Sequence, residues 1–187
     1  MSDGRRKDAL QILNRLYSSR VSFLDAEYNR WIKKGDYTEK DRSWLVSLLR
    51  NLVKHQAFID KVLKEYLPRW EKLPLATQNL LRMGVAELLF HSAPAFAIVN
   101  ETVELAKATG AEFAPLVNAV LRKVARKRDY YYAILEEEGI ELPPFLEEEW
   151  RNWIGEEELK LLKKSLSLPP LLYVRVNTLK IREDELM

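Results

Sequence analysis

The chain has 187 residues, 47% of them hydrophobic and 31% charged, and its 30 basic and 28 acidic residues leave a formal net charge of +2. That length buries a real core and suits one domain, or one domain and a fragment. The near balance of charge excludes a uniformly basic nucleic-acid binder, and the lack of cysteine excludes disulfides, thiolate metal sites and a Cys nucleophile within these residues.

Residues 4–17 carry Ala9, Ile12, Leu13 and Leu16 at helical spacing, behind a basic head of Arg5, Arg6 and Lys7 and with Arg15 further on. A second helix is expected over about residues 23–33, stopped by Gly35. Thr38 with Asp41 three residues later is an N-cap signature for a third helix, which carries Trp44, Leu45, Leu48, Leu49 and Leu52. The pattern continues through Phe58, Ile59, Val62 and Leu63 until Pro68 ends it. Pro74 then opens a helix whose buried face is Leu80, Leu81, Val85, Leu88 and Leu89. Gly84 inside that helix costs about 1 kcal/mol relative to Ala, which predicts a close helix approach there.

Beyond Pro94, two amphipathic helices flank Gly110. In the first, Val99, Val103 and Ala106 recur at helical spacing while Asn100, Glu104 and Lys107 gather on a neighbouring face. In the second, Phe113, Leu116, Val117, Val120, Leu121 and Val124 form a core stripe, and Asn118 and Arg122 share the adjoining face. Lys123, Arg126, Lys127 and Arg128 extend a second basic cluster. No strand-like alternation precedes residue 170, so residues 1–128 read as an all-α bundle.

Residues 129–169 read as a helical linker, with a short helix before Gly139, a break at Pro143 and Pro144, and two further helices around Trp150, Trp153, Ile154, Leu159, Leu162 and Leu166. Trp150 and Trp153 are expected to anchor a core, and seven Glu between residues 136 and 149 to form a solvated hinge. The stretch LLYVRVNTLK alternates as a strand does. A lone strand is unstable, so residues 170–187 are expected to begin a truncated mixed α/β subdomain. High charge, few glycines and no cysteine lean toward a heat-adapted, cytoplasmic protein. No apolar run approaches the ~20 residues that span a bilayer.

Several segments, in order, resemble the NusB family of all-helical RNA-binding proteins over residues 4–127. They are GRRKDALQILNRLY, HQAFIDKVL, Trp70, the Leu80, Leu81, Arg82 step, Glu87 to Leu89, VNETVELAK and LVNAVLRK. The tail, with Trp150, Trp153 and the strand-like stretch, resembles the linker and first strand of the RsmB (Sun/Fmu) family of rRNA 5-methylcytosine methyltransferases. The resemblance implies an all-α fold: a NusB-like helical bundle with a helical linker and an orphan C-terminal strand. It also implies a non-catalytic RNA-binding domain of an S-adenosylmethionine-dependent 16S rRNA cytosine-C5 methyltransferase. No cofactor is expected in this chain itself, because S-adenosylmethionine would bind in a missing catalytic domain. The alternatives are a free-standing NusB-like antitermination factor, binding boxA-type RNA with a ribosomal protein partner, and a helical interaction module.

The residues expected to meet RNA are Arg5, Arg6, Lys7, Arg15, Asn118, Arg122, Lys123 and Arg126, mainly through phosphates. Competing structural roles are expected elsewhere. Asn100 and Glu101 suit partly buried helix cross-links, Lys107 an ion pair with Glu104, and cations near a helix end its dipole. His55 and His91 lack metal-ligand spacing and are read as structural.

Overall fold

The computed structural model describes residues 2–18, 23–33 and 37–168. The strand and subdomain expected over residues 170–187 lie outside the described residues.

Helix α5 (Leu75–Phe90) is apolar around nearly its whole circumference, and such a helix is stable only when surrounded. It is surrounded: every residue from Asn79 to Leu89 is buried. Five α-helices pack against it in the bundle: α1 (Ser2–Ser18), α3 (Glu39–Lys54), α4 (Gln56–Tyr66), α6 (Ala95–Gly110) and α7 (Ala114–Arg126). A sixth, α8 (Arg128–Glu138), closes the bundle, and α2 (Leu24–Ile32) lies on α1 and α3. Leu13, Leu45, Leu48, Ile59, Leu63, Leu81 and Leu121 join these elements in one core. The described residues are thus all-α, as the sequence predicts.

Local chemistry sets the boundaries. The Asp41 amide donates to Thr38 Oγ1 at 3.2 Å and the Thr38 amide to Asp41 Oδ2 at 3.3 Å, closing the expected capping box on α3. His55 interrupts the apparently continuous pattern of α3 and α4, adopting φ −109° and ψ 19° between them. The predicted close approach at Gly84 is with α7, where a Cβ would lie 2.7 Å from Leu121 Cδ1.

The linker departs from expectation twice. Helices α9 (Pro144–Ile154) and α10 (Glu156–Ser167) form a hairpin whose α10 packs on α8. The acidic run is pinned at three of its seven Glu, while Glu136, Glu137, Glu148 and Glu149 are exposed as expected. Lys61 Nζ lies 3.1 Å from Glu141 and 3.7 Å from Glu138, while Lys163 and Arg151 reach Glu147 at 3.0 and 3.2 Å. Lys54 Nζ donates to the Ser167 carbonyl at 2.8 Å, tying the end of α10 to α3. Trp153 is no core anchor: it is 82% exposed, because among the described residues α9 packs mainly on α10 and buries no residue fully. Leu159 is the buried anchor instead, and Trp150 is half-buried.

Gly139 makes this docking possible. Its φ of 74° with ψ −155° is a backbone region open almost only to glycine, and a Cβ would strike the Lys163 backbone. The next amide, of Ile140, donates to the Lys163 carbonyl at 3.2 Å. Gly139→Ala is therefore expected to release α10 from α8 while the bundle melts at nearly its original temperature. Limited proteolysis followed by mass spectrometry checks this: cleavage in α9 and α10 should accelerate, and unchanged protection there would contradict it.

Candidate nucleic-acid interface

Helices α6 and α7 are joined through a single 3-10 turn, Ala111–Phe113, and lie side by side. Their apolar stripes enter the core through Ile98, Thr102, Leu105 and Ala106 on one helix and Val117, Val120, Leu121 and Val124 on the other. The faces next to those stripes meet in an open groove of about 430 Å³. Val99 and Val103 give it an apolar floor, and Asn100, Lys107, Asn118, Arg122 and Arg126 give it polar walls. Asn118, Arg122 and Arg126 recur every four residues along α7, so helical spacing alone puts them on one side.

The charges in this groove are largely unspent. Arg122 Nε donates to Asn118 Oδ1 at 3.0 Å, the neighbour relation expected from their spacing. Both terminal guanidinium nitrogens of Arg122 and the whole Arg126 head remain without an ion pair among the described residues. The one carboxylate lining the groove, Glu104, is neutralised by Lys107 at 2.7 Å, the pair the sequence predicts. Phe96 stands at the same groove, 78% exposed.

The basic head of α1 serves a different end. Arg6 is 5% exposed and lies 2.6 Å from both Glu87 Oε2 and Glu101 Oε2, with Nη1 also donating to Thr102 Oγ1 at 3.3 Å. Arg5 bonds Asp41 at 3.1 Å and covers the Trp44 ring at 4.9 Å. These two arginines border a second depression, of about 550 Å³, together with Lys40, Trp44 and His91. Lys7 and Arg15 are exposed, Arg15 lying 3.9 Å from Glu27. Lys123 turns toward α4, 5.8 Å from the Tyr66 ring centre. The structure therefore gathers Asn118, Arg122 and Arg126, and leaves Arg5 and Arg6 at another site with their charges already engaged. Lys7, Arg15 and Lys123 line neither depression.

Of the two residues expected to cross-link helices, Glu101 does so and Asn100 does not. Asn100 is exposed and makes no hydrogen bond among the described residues, because it faces the groove; Glu101, one position round the helix, is the residue that ties α6 to α1. Arg128, which opens α8, donates to the His91 carbonyl at 3.1 Å and so caps the end of α5 rather than that of the preceding α7. Phe96 was not singled out by its sequence. The signal was present, since Val99, Asn100 and Val103 follow it at three, four and seven residues.

Burial shifts two groups beside this architecture in opposite directions. It lifts the Glu87 carboxyl to about 7, although Arg6 pulls the other way, and it pushes His55, stacked on Phe90, down to about 4. A raised carboxyl means the folded state holds a proton that the unfolded state releases between pH 4.5 and about 7. Its contribution is whole below pH 4.5 and lost as pH rises to about 7. His55 does the reverse, its contribution fading as pH falls from 6.5 toward 4. Glu87→Gln removes the first effect alone. The melting temperature of wild type minus that of E87Q should fall between pH 4.5 and 7 in parallel thermal melts, and a flat or rising difference would mean that Glu87 is ionised throughout.

An all-helical bundle with a cationic groove between two of its helices is, as a class, a binding domain built on a rigid scaffold. The chain belongs to the NusB family, whose family model matches residues 4–126. It is 29% identical over 175 residues to a probable ribosomal RNA small subunit methyltransferase B of Synechocystis, covering 89% of this chain and 39% of that relative. It is 33% identical to the methyltransferase B of Thermus thermophilus over 68% of this chain and 31% of the relative. The chain thus spans less than half the length of either methyltransferase. It is also 29% identical to the transcription antitermination protein NusB of Dehalococcoides mccartyi, covering 67% of this chain and 92% of that protein. Among solved structures, it matches a crystal structure of antitermination factors NusB and NusE in complex with dsRNA. That match has a TM-score of 0.60 and 25% identity, over 67% of this chain and 96% of the other. NusB from Aquifex aeolicus, at 23% identity and TM-score 0.56, shares the fold.

Proposed function

We propose that this chain is the RNA-holding domain of an S-adenosylmethionine-dependent 16S rRNA cytosine-C5 methyltransferase of the cytoplasm. One observation carries this reading: the alignment with the Synechocystis methyltransferase covers 89% of the chain, whereas that with the Dehalococcoides NusB covers 67%. The longer match takes in residues outside the family model, where α9 and α10 form their own hairpin. The domain is non-catalytic in this reading. These residues contain no cysteine, so the thiolate that attacks the cytosine ring, like the cofactor, belongs to another domain.

The α6–α7 groove is the surface best equipped to hold RNA, because Arg122 and Arg126 keep free guanidinium nitrogens there. Lys7 and Arg15 are exposed enough to add phosphate contacts from α1. The solved NusB and NusE complex with dsRNA supports a second reading, an antitermination factor that meets a boxA-type RNA beside a ribosomal protein.

Phosphate contacts make affinity depend on salt, by about 0.7 to 0.9 in log–log slope for each contact. Affinity for a small-subunit rRNA fragment should fall steeply with salt in fluorescence anisotropy, and Arg122→Glu with Arg126→Glu should weaken it and flatten the slope by about 1.5 in total. Arg6→Ala is expected to act through stability instead. It removes the cation closest to Glu87, whose buried carboxyl then holds its proton to higher pH, so the loss of stability read by a thermal melt should be smaller at pH 5 than at pH 8. No affinity for RNA at low salt would overturn the RNA-holding reading. Preference for boxA RNA with a ribosomal protein over the rRNA fragment would favour the second.

A further inference from the structure

Phe96 is a large aromatic ring left 78% exposed in the first turn of α6, and single exposed apolar residues are ordinary on protein surfaces. Its surroundings are not ordinary. It shares one groove with two primary amides, Asn100 and Asn118, and two guanidinium groups, Arg122 and Arg126, over the apolar floor of Val99 and Val103. Neither Asn100 nor Arg126 has a hydrogen-bond or ion-pair partner among the described residues, and the Asn118 amide nitrogen donates to none.

An aromatic face, amide edges carrying both donors and acceptors, and cations at the rim match the three parts of a nucleotide. The ring stacks on a base, the amides meet its hydrogen-bonding edge, and the guanidinium groups hold phosphates. We propose that the α6–α7 groove receives one unpaired nucleotide of a single-stranded RNA segment, stacked on Phe96. This rests on the reading of the domain as an RNA holder and assigns the conformation of the RNA that the groove takes. A paired base cannot enter, since in A-form RNA its edge is already bonded and its faces are stacked within the helix. An exposed Phe beside two Arg also fits a protein interface, where both residue types are enriched, so the unpartnered amide edges of Asn100 and Asn118 are what favour a nucleotide here.

The test compares a short single-stranded oligoribonucleotide with a hairpin duplex, binding each to the full chain and its variants by fluorescence anisotropy. Phe96 is exposed, so Phe96→Ala should fold with an unchanged melt. It should weaken single-strand binding about 5- to 150-fold, with the salt slope and duplex affinity preserved. Phe96→Trp should restore the affinity, and 4-thiouridine in the strand should cross-link to the peptide containing residue 96. If Phe96→Ala binds the single strand as wild type does while Arg122→Glu and Arg126→Glu weaken it, RNA holding stands and the nucleotide pocket is overturned. No RNA affinity in the wild type at low salt would overturn both. Loss of a ribosomal-protein contact in Phe96→Ala, with RNA affinity intact, would assign the groove to protein and equally overturn it.

Discussion

A helix buried on every side has no solvent in which to place a charge, and α5 carries two, Arg82 and Glu87, 6% and 1% exposed. Unpaired, each would cost several kcal/mol, so the fold supplies partners from the helices around it. Arg82 makes a two-pronged contact with Asp60 of α4 at 2.7 and 2.8 Å and reaches Asn79 at 3.0 Å. Glu87 takes Arg6 of α1, which in turn holds Glu101 of α6. The two-pronged Arg82–Asp60 pair fixes how α4 is rotated against α5, which apolar packing specifies less sharply, and the Arg6 contacts draw α1 and α6 to the same end of α5 by charge.

The groove inherits its geometry from that constraint. With Glu101 drawn toward Arg6, the residue before it, about 100° round the helix, faces an adjoining flank. That residue is Asn100, and the flank is the one shared with α7. The ion pair that engages Arg6 therefore also presents the amide beside Arg122 and Arg126. The close approach of α5 and α7 at Gly84 seats α7 in the bundle beside α6, and those two helices border the groove.

Much of this was legible in the chain. The helix order, the capping box at Thr38, the close approach at Gly84 and the stripe on α7 follow from periodicity and local hydrogen bonding, which act within a few residues. The Asn118 and Arg122 pair was legible for the same reason. The residues that misled were those whose fate depends on a distant partner. Arg5 and Arg6 looked like Arg122 and Arg126, yet the carboxylates that engage Arg6 stand 81 and 95 positions away, at Glu87 and Glu101. Trp153 looked like an anchor because hydrophobicity predicts a wish to be buried, and among the described residues the main neighbour of α9 is the short helix α10. In the seven-Glu run, the pairing of Glu138, Glu141 and Glu147 was hidden because their cations, Lys61 and Lys163, come from other helices.

By itself the sequence determined that the chain is all-α over its described length, that Pro74 and Pro94 bound its most apolar helix, and that α7 carries cations on one adjoining face. Those outcomes depend on backbone propensity and the 3.6-residue period, both local. Only the tertiary structure decided which cations stay free and which become structural, and which exposed aromatic stands beside them. Charge neutralisation and burial are set by whatever the fold brings alongside, and no spacing within one helix encodes a partner eighty residues distant.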